Sequence, residues 1–323
     1  MGDTVTAPSR STVERIRHVL DRRREGDSGG AGRRRWVRRL PLLPAFVYVI
    51  VVTQVPFIAT IWYSFRSWNL LIPGSNHFTG LRSYQEVFAD PTFLIAVINT
   101  VELTASAVII AMLVGIGLAM LLNREFFGRG VVRTLLITPF LVMPVASALL
   151  WKTTMYDPLY GLLDFVLSPF GIHHVAWLST FPMPAIVTIL AWEWAPFMML
   201  IVLAGLQSES LEVLEAAKVD GASTVQTFTR LTFPHIRPYV QLGVLLGSVY
   251  IIQAFGEIFM DTAGGPGTAT TNLPYYLYEQ VFNAYNVGVG AAAGVIVLIG
   301  TEIVAIFALR LVSSLIAGTA MIG

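Results

Sequence analysis

Cysteine is absent from this 323-residue sequence, and charge is scarce. The first absence excludes disulfides, thiolate chemistry and cysteine-ligated zinc, and leaves the compartment open. Charged residues make up only 13 % of the chain, against the ~25 % usual for soluble domains. The histidines, His18, His77, His173, His174 and His235, lie scattered without an H-E-x-x-H or comparable spacing, so no metal site is assigned. No Gly-Lys pair occurs, hence no phosphate loop ending in Gly-Lys-Ser/Thr. Reactive side chains do not gather at one place, and no catalytic residue is assigned. What the sequence does hold is apolar: 55 % hydrophobic residues and a mean hydropathy of +0.67. That balance points to a membrane protein rather than to two soluble domains.

Six apolar stretches, at about 41–65, 100–122, 132–154, 183–206, 239–262 and 288–314, are each near the ~20 residues a helix needs to cross a bilayer. The expected fold is therefore all-α and polytopic, with six transmembrane helices in a domain of residues 41–314. Charges orient it. Eleven of the 21 Lys and Arg lie in the first 40 residues, a basic tail in which Ser11–Arg24 has an amphipathic pattern. Arg33, Arg34, Arg35, Arg38 and Arg39 stand directly before the first apolar run, the pattern of a cytoplasmic anchor against anionic lipid. Nucleic acid is not an expected partner, because no aromatic residues interleave with these basic ones. With the N-terminus in the cytoplasm, 18 of the 21 basic residues fall inside and only Arg66, Arg82 and Lys152 outside. The loop 207–238, the short C-terminal tail 315–323 and both termini are then cytoplasmic.

The most polar long stretch of the second half lies in that inner loop, from Glu215 to Pro238. Leu211–Lys218 has helical composition, and Asp220-Gly221 breaks the helix. Ser223 and Thr224 can cap a second helix carrying Val225, Phe228 and Leu231, which Pro234 and Pro238 are expected to end. Glu215-Ala216-Ala217, Gly221, Phe228 and Pro234 together resemble the EAA coupling loop of ABC importer permeases. In that family the loop is cytoplasmic and docks as a short helix into a cleft on the ATPase subunit. The resemblance implies an ATPase-coupling role for Glu215, Ala216, Ala217, Asp220, Gly221, Phe228 and Pro234. The plain alternative is a connector between spans.

Two outer segments extend the resemblance towards the carbohydrate branch. Phe78-Thr79-Gly80-Leu81, Tyr84, Asp90-Pro91-Thr92-Phe93 and Asn99-Thr100 are similar to the segment before the second core span of sugar-importer permeases. It reads as a turn, a short amphipathic helix over Ser83–Ala89 and a proline-started approach to the membrane. Gly264-Gly265-Pro266, with Thr270-Thr271 following, resembles the loop after the fifth span. It is expected to be a tight turn facing an external binding protein. Gly115, Gly117 and Ala119, the pair Gly243 and Gly247, and the pair Gly290 and Gly294 read as small residues for close helix packing. Pro139, Pro144 and Pro196 are expected to bend their spans.

Polar residues at membrane depth are costly and hence candidates for function: Glu193 between Trp192 and Trp194, Gln253 and Glu257, and Glu302. Sugars are held by aromatic faces against their C–H surfaces and by carboxylates and amides at their hydroxyls. Trp192, Glu193, Gln253 and Glu257 form the candidate substrate set, the alternative being hydrogen bonds to neighbouring helices.

The resemblance covers about residues 40–314. It implies the type I permease fold of the maltose, glycerol-phosphate, trehalose and polyol importers, in a bacterial cell membrane. It also implies a second, similar permease subunit, two ATPase subunits and an extracytoplasmic binding protein. No cofactor is expected on this chain, ATP and magnesium belonging to the ATPase. A stand-alone secondary transporter or channel is the alternative, and a membrane-embedded enzyme a further one. The first usually shows an internal repeat and more spans, and the second needs clustered reactive residues; neither feature is found.

Overall fold

A computed structural model describes residues 43–319. The amphipathic stretch Ser11–Arg24 and the arginines 33–39 of the expected basic tail lie outside the described residues. The chain divides into two units between Thr60 and Ile61. Helix α1, Leu43–Ser64, runs across that division and carries apolar side chains such as Phe46 and Tyr48 exposed.

The second unit begins with a feature outside the all-α expectation. Strands β1, Arg66–Ser67, and β2, His77–Phe78, pair antiparallel, with Arg66 opposite Phe78. The Arg66 Nε donates to Asn76 Oδ1 at 2.6 Å and steadies the turn between them. Helix α2, Arg82–Ala89, fits the amphipathic segment expected there, with Val87 buried. Asp90 then caps α3, Pro91–Leu122, its carboxylate accepting from Thr92 N at 2.8 Å. Proline at the first position needs no donor, so α3 starts at Pro91, ahead of the span expected from 100.

The span expected at 132–154 is instead two helices. Helix α4, Arg129–Leu141, and helix α5, Pro144–Leu150, continued by a π-helical turn Trp151–Met155, meet at 102°. Pro139 sits inside α4 without breaking it, while Val142 and Met143 are extended with ψ 139°. A residue before proline is pushed out of the helical region, so Pro144 sets the break one turn later than Pro139 would. Short helices α6, Leu162–Leu167, and α7, Trp177–Thr180, lead to the long α8, Pro182–Gln207.

The loop expected between spans follows. Helix α9, Leu211–Val219, and helix α10, Thr224–Thr227, flank the turn at Gly221. Pro234 and Pro238 do not end the second helix, contrary to expectation. A π-helical turn, Phe228–Thr232, carries α10 directly into α11, Phe233–Ile251. The Phe233 N–H reaches back five residues to Phe228 O, and the widened turn accommodates Pro234, which has no N–H to donate. The expected span 239–262 breaks after Ile251, and a separate helix α12, Gly256–Asp261, completes it. Helix α13, Leu273–Tyr278, precedes α14, Val287–Thr319. Among the described residues α1, α3 and α8 are long and apolar enough to cross a membrane, with a fourth crossing if the bent α4–α5 pair is one span.

The core forms where α8 meets α3, with α11 and α4 packed against α8 as well. On α3, Ala107, Ala111, Gly115 and Ala119 recur every four residues and are all buried. A Cβ on Gly115 would lie 2.6 Å from Met198 Cβ and 2.9 Å from Met199 N, so the two backbones approach too closely for any side chain there. Close approach of this kind replaces the hydrophobic drive that lipid does not provide. Gly243 likewise packs on Met112, and Gly205 on the Tyr239 ring. Gly117 has nothing within 4 Å and takes no part in packing.

Candidate functional site

The loop 207–238 is built by backbone geometry. Gly221 has φ +79°, and two hydrogen bonds close the end of α9 around it: Gly221 N to Lys218 O at 3.1 Å and Ala222 N to Ala217 O at 3.0 Å. This is the Schellman arrangement, which needs a left-handed residue at Gly221. Ser223 then opens α10 with a capping box. Its Oγ accepts from Gln226 N at 3.3 Å, while its own N–H donates to Gln226 Oε1 at 2.8 Å. Glu215, Ala216, Asp220, Gly221 and Pro234 are exposed, and so are the apolar Val219 and Val225. Ala217 is half-buried. Phe228, also half-buried, turns inward and lines a cleft of about 280 Å³ with Leu214, Lys218 and the end of α3 at Asn123 and Arg124. An anchor not visible in the sequence is Ser208, whose Oγ lies 3.0 Å from His235 Nε2 and 3.2 Å from Tyr239 Oη, tying the two ends of the loop together.

The candidate substrate residues divide. Glu193, Gln253 and Glu257 line one cavity of about 360 Å³, walled also by Phe140, Trp194, Tyr250 and Phe255. Trp192 does not line it. Residues two apart on a helix point nearly opposite ways, so only one tryptophan beside Glu193 can share a cavity with it. Trp192 meets the Trp151 ring edge-on at 5.7 Å, while Trp194 stacks on Tyr250 at 5.4 Å and meets Phe140 at 5.5 Å. The breaks after Leu141 and Ile251 bring Phe140, Phe255 and Glu257 to the same place. Glu193 Oε1 and Glu257 Oε2 are buried and have no hydrogen-bond partner among the described residues, as do Ser147 Oγ, Trp151 Nε1 and both Asp261 oxygens. The cavity therefore combines aromatic faces with carboxylate acceptors and an amide that both donates and accepts.

The Gly-Gly-Pro loop is held from three sides. Asn99 on α3 donates through Nδ2 to Thr268 O at 2.8 Å and to Thr271 O at 3.0 Å. Thr100 Oγ1 accepts from Leu273 N at 2.8 Å, and Asn272 Nδ2 donates to Ala254 O at 2.6 Å. Tyr276 Oη donates to Asp90 Oδ2 at 2.8 Å, and burial followed by the neighbouring carboxylate pushes its pKa up, so it remains a donor. Burial and Glu279 push Tyr275 up to about 12. Gly264 has φ +77°, and a Cβ there would lie 2.6 Å from both Thr271 Oγ1 and the Tyr275 ring. Gly265 is half-buried and Pro266 exposed at the tip. Asp90, Asn99 and Thr100 all belong to the segment singled out in the sequence, where nothing indicated that they grip the Gly-Gly-Pro loop.

Residues 111–317 match the protein family described as "Binding-protein-dependent transport system inner membrane component". The chain is 36 % identical over 248 residues to a probable ABC transporter permease protein, y4oQ, of Sinorhizobium fredii, covering 76 % of this chain and 80 % of that one. It is 34 % identical over 263 residues to the trehalose/maltose transport system permease protein MalF of Thermococcus litoralis, covering 80 % and 88 % respectively. In fold it is similar to a chain of the crystal structure of a bacterial ABC transporter involved in the import of the acidic polysaccharide alginate, with TM-score 0.75, 24 % identity, and coverage of 87 % of this chain and 96 % of that one. This chain belongs to the family of inner-membrane components of binding-protein-dependent transport systems, the permease subunits of ABC importers.

Proposed function

We propose that this permease carries a sugar or polyol, and that the cavity of Glu193, Trp194, Tyr250, Gln253, Phe255 and Glu257 is where it passes. The observation that carries this reading is the cavity's chemistry. Aromatic faces suit the C–H surface of a sugar ring, and the two carboxylates and the amide suit its hydroxyls. The trehalose/maltose permease of Thermococcus litoralis, covered over 88 % of its length, supports the same substrate class.

The chain works as half of a pathway shared with a second permease, driven by two ATPase subunits and fed by an extracytoplasmic binding protein. ATP and magnesium reside in the ATPases. The exposed Glu215, Ala216, Asp220 and Gly221, with Val219 and Val225, form the surface that enters the ATPase cleft on the cytoplasmic side. Phe228 transmits movement of that surface to the end of α3. Closure of the ATPases on ATP opens the cavity outward to accept sugar, and hydrolysis resets it inward. The Gly264-Gly265-Pro266 tip faces the binding protein. Both termini lie in the cytoplasm, and the basic N-terminal arginines serve as an anchor for anionic lipid.

The test is purification of the tagged chain from its native membrane in mild detergent, followed by mass spectrometry and reconstitution. An ATPase, a second permease of similar size and a sugar-binding protein are expected, and uptake of a sugar such as trehalose or maltose requires all of them. Uptake by the chain alone would instead establish a stand-alone transporter.

A further inference from the structure

Gln253 lines two hollows. One is the cavity shared with Glu193 and Glu257. The other is a groove of about 400 Å³ between α11 and α14, lined by Ser248, Val249, Leu298, Thr301 and Glu302 among others. Glu302 is exposed and lies near the middle of the apolar run 288–314. A carboxylate at that depth is not left against hydrocarbon, so this face of the two helices meets water, solute or protein. The remaining polar groups are partly free. Ser248 Oγ donates to Val244 O at 2.7 Å and Thr301 Oγ1 to Leu298 O at 2.8 Å, which leaves both oxygens able to accept. Gln253 Nε2 donates to Val249 O at 2.8 Å and keeps a second N–H.

We propose that this groove is a second carbohydrate subsite, continuous with the cavity through Gln253, in which Glu302 and Thr301 bind sugar hydroxyls. The inference rests on the sugar-permease reading above. Acyl chains in the groove would leave its hydroxyls and carboxylate without partners. A helix of the second permease packed there would cover Glu302 and close the groove to solute, an outcome the experiment below reads directly.

The absence of cysteine makes the groove directly testable. Thr301→Cys and Ser248→Cys, each close in size to the residue replaced, are introduced singly into the assembled transporter in proteoliposomes. Modification by a charged, membrane-impermeant methanethiosulfonate is followed with and without trehalose or maltose and the binding protein. ATP hydrolysis in the same sample reports assembly. Modification of both positions is expected, slowed about tenfold by sugar at ten times its dissociation constant, the factor 1 + [L]/Kd. Glu302→Leu is expected to lose uptake while Glu302→Gln, which still hydrogen-bonds, keeps most of it. Thiols that do not react in an assembled transporter would show the groove covered by lipid or by the second permease, and would overturn the proposal. Thiols that react but are not protected by a sugar the wild type takes up would overturn the subsite and leave the sugar reading standing. A fully assembled wild type that takes up neither sugar nor polyol would sink the substrate class itself.

Discussion

Gly221 sits at φ +79°, and nothing lies within 4 Å of where its Cβ would be. Substitution there is therefore a question of backbone strain alone. A β-branched residue in the left-handed region costs about 1–2 kcal/mol, enough to shift the turn between α9 and α10. Gly221→Val is expected to depress uptake by the assembled transporter while ATP hydrolysis persists uncoupled, and Gly221→Asn to be the mildest change. Uptake and coupled hydrolysis both at wild-type levels would remove Gly221 from the coupling role. Asn99 is the corresponding residue for the Gly-Gly-Pro loop. Asn99→Ala leaves the buried Thr271 carbonyl without its donor, at a cost of about 1–3 kcal/mol. The expected result is a lower thermal midpoint in detergent and weaker stimulation of hydrolysis by the binding protein, and an unchanged midpoint would mean that water replaces the amide. At this scale the sequence was partly legible. Glu193, Gln253 and Glu257 stand out because polar residues are rare in apolar runs. The choice of Trp194 over Trp192 depends on which way α8 is rotated, which local sequence does not encode.

Among the elements, the inner loop was the most legible, because caps are local. Ser223 and Gln226 close a capping box within four residues, and Gly221 closes α9 within five. Ser223→Ala is expected to cost about 1 kcal/mol at the start of α10. Hydrogen exchange would show faster amides over Thr224–Thr227 with α9 unchanged, and no acceleration there would mean that the π-helical turn, not the cap, holds the helix. Long helices were less legible at their breaks. Pro139, Pro144, Pro234 and Pro238 look alike in sequence. Pro144 follows two extended residues and starts a new helix at 102°, while Pro234 follows a π-helical turn and rides inside one. What decides is whether neighbouring elements pack against a straight or a bent path, and that is a long-range matter.

For the molecule as a whole, the charge asymmetry makes a topology that can be measured. Lys218 and Ala269 are both exposed, one in the loop 207–238 expected inside and one in the Gly-Gly-Pro loop expected outside. In intact cells Ala269→Cys is expected to react with a membrane-impermeant maleimide and Lys218→Cys only after the membrane is opened. Reaction of Lys218→Cys in intact cells would invert the arrangement and detach the loop from any cytoplasmic ATPase. Glu302 sets a second constraint at this scale. A carboxylate facing the bilayer centre costs about 2.5–3.5 kcal/mol on insertion scales, which favours turning the groove between α11 and α14 away from lipid.

By itself the sequence determined that the protein spans a membrane and where its helix–turn–helix loop lies. These follow from composition and from caps, each readable within one turn or one span. Tertiary structure alone decided that Phe140, Trp194, Gln253, Phe255 and Glu257 share a cavity, that Asn99 and Asp90 hold a loop and helix α13 more than 160 residues away, and that Gln253 lines both that cavity and a groove reaching Glu302. The reason is geometric. Such groups meet only after α8 has taken its rotation against α3 and after the helices at Val142 and Ile252 have broken, and both depend on packing between segments far apart in the chain.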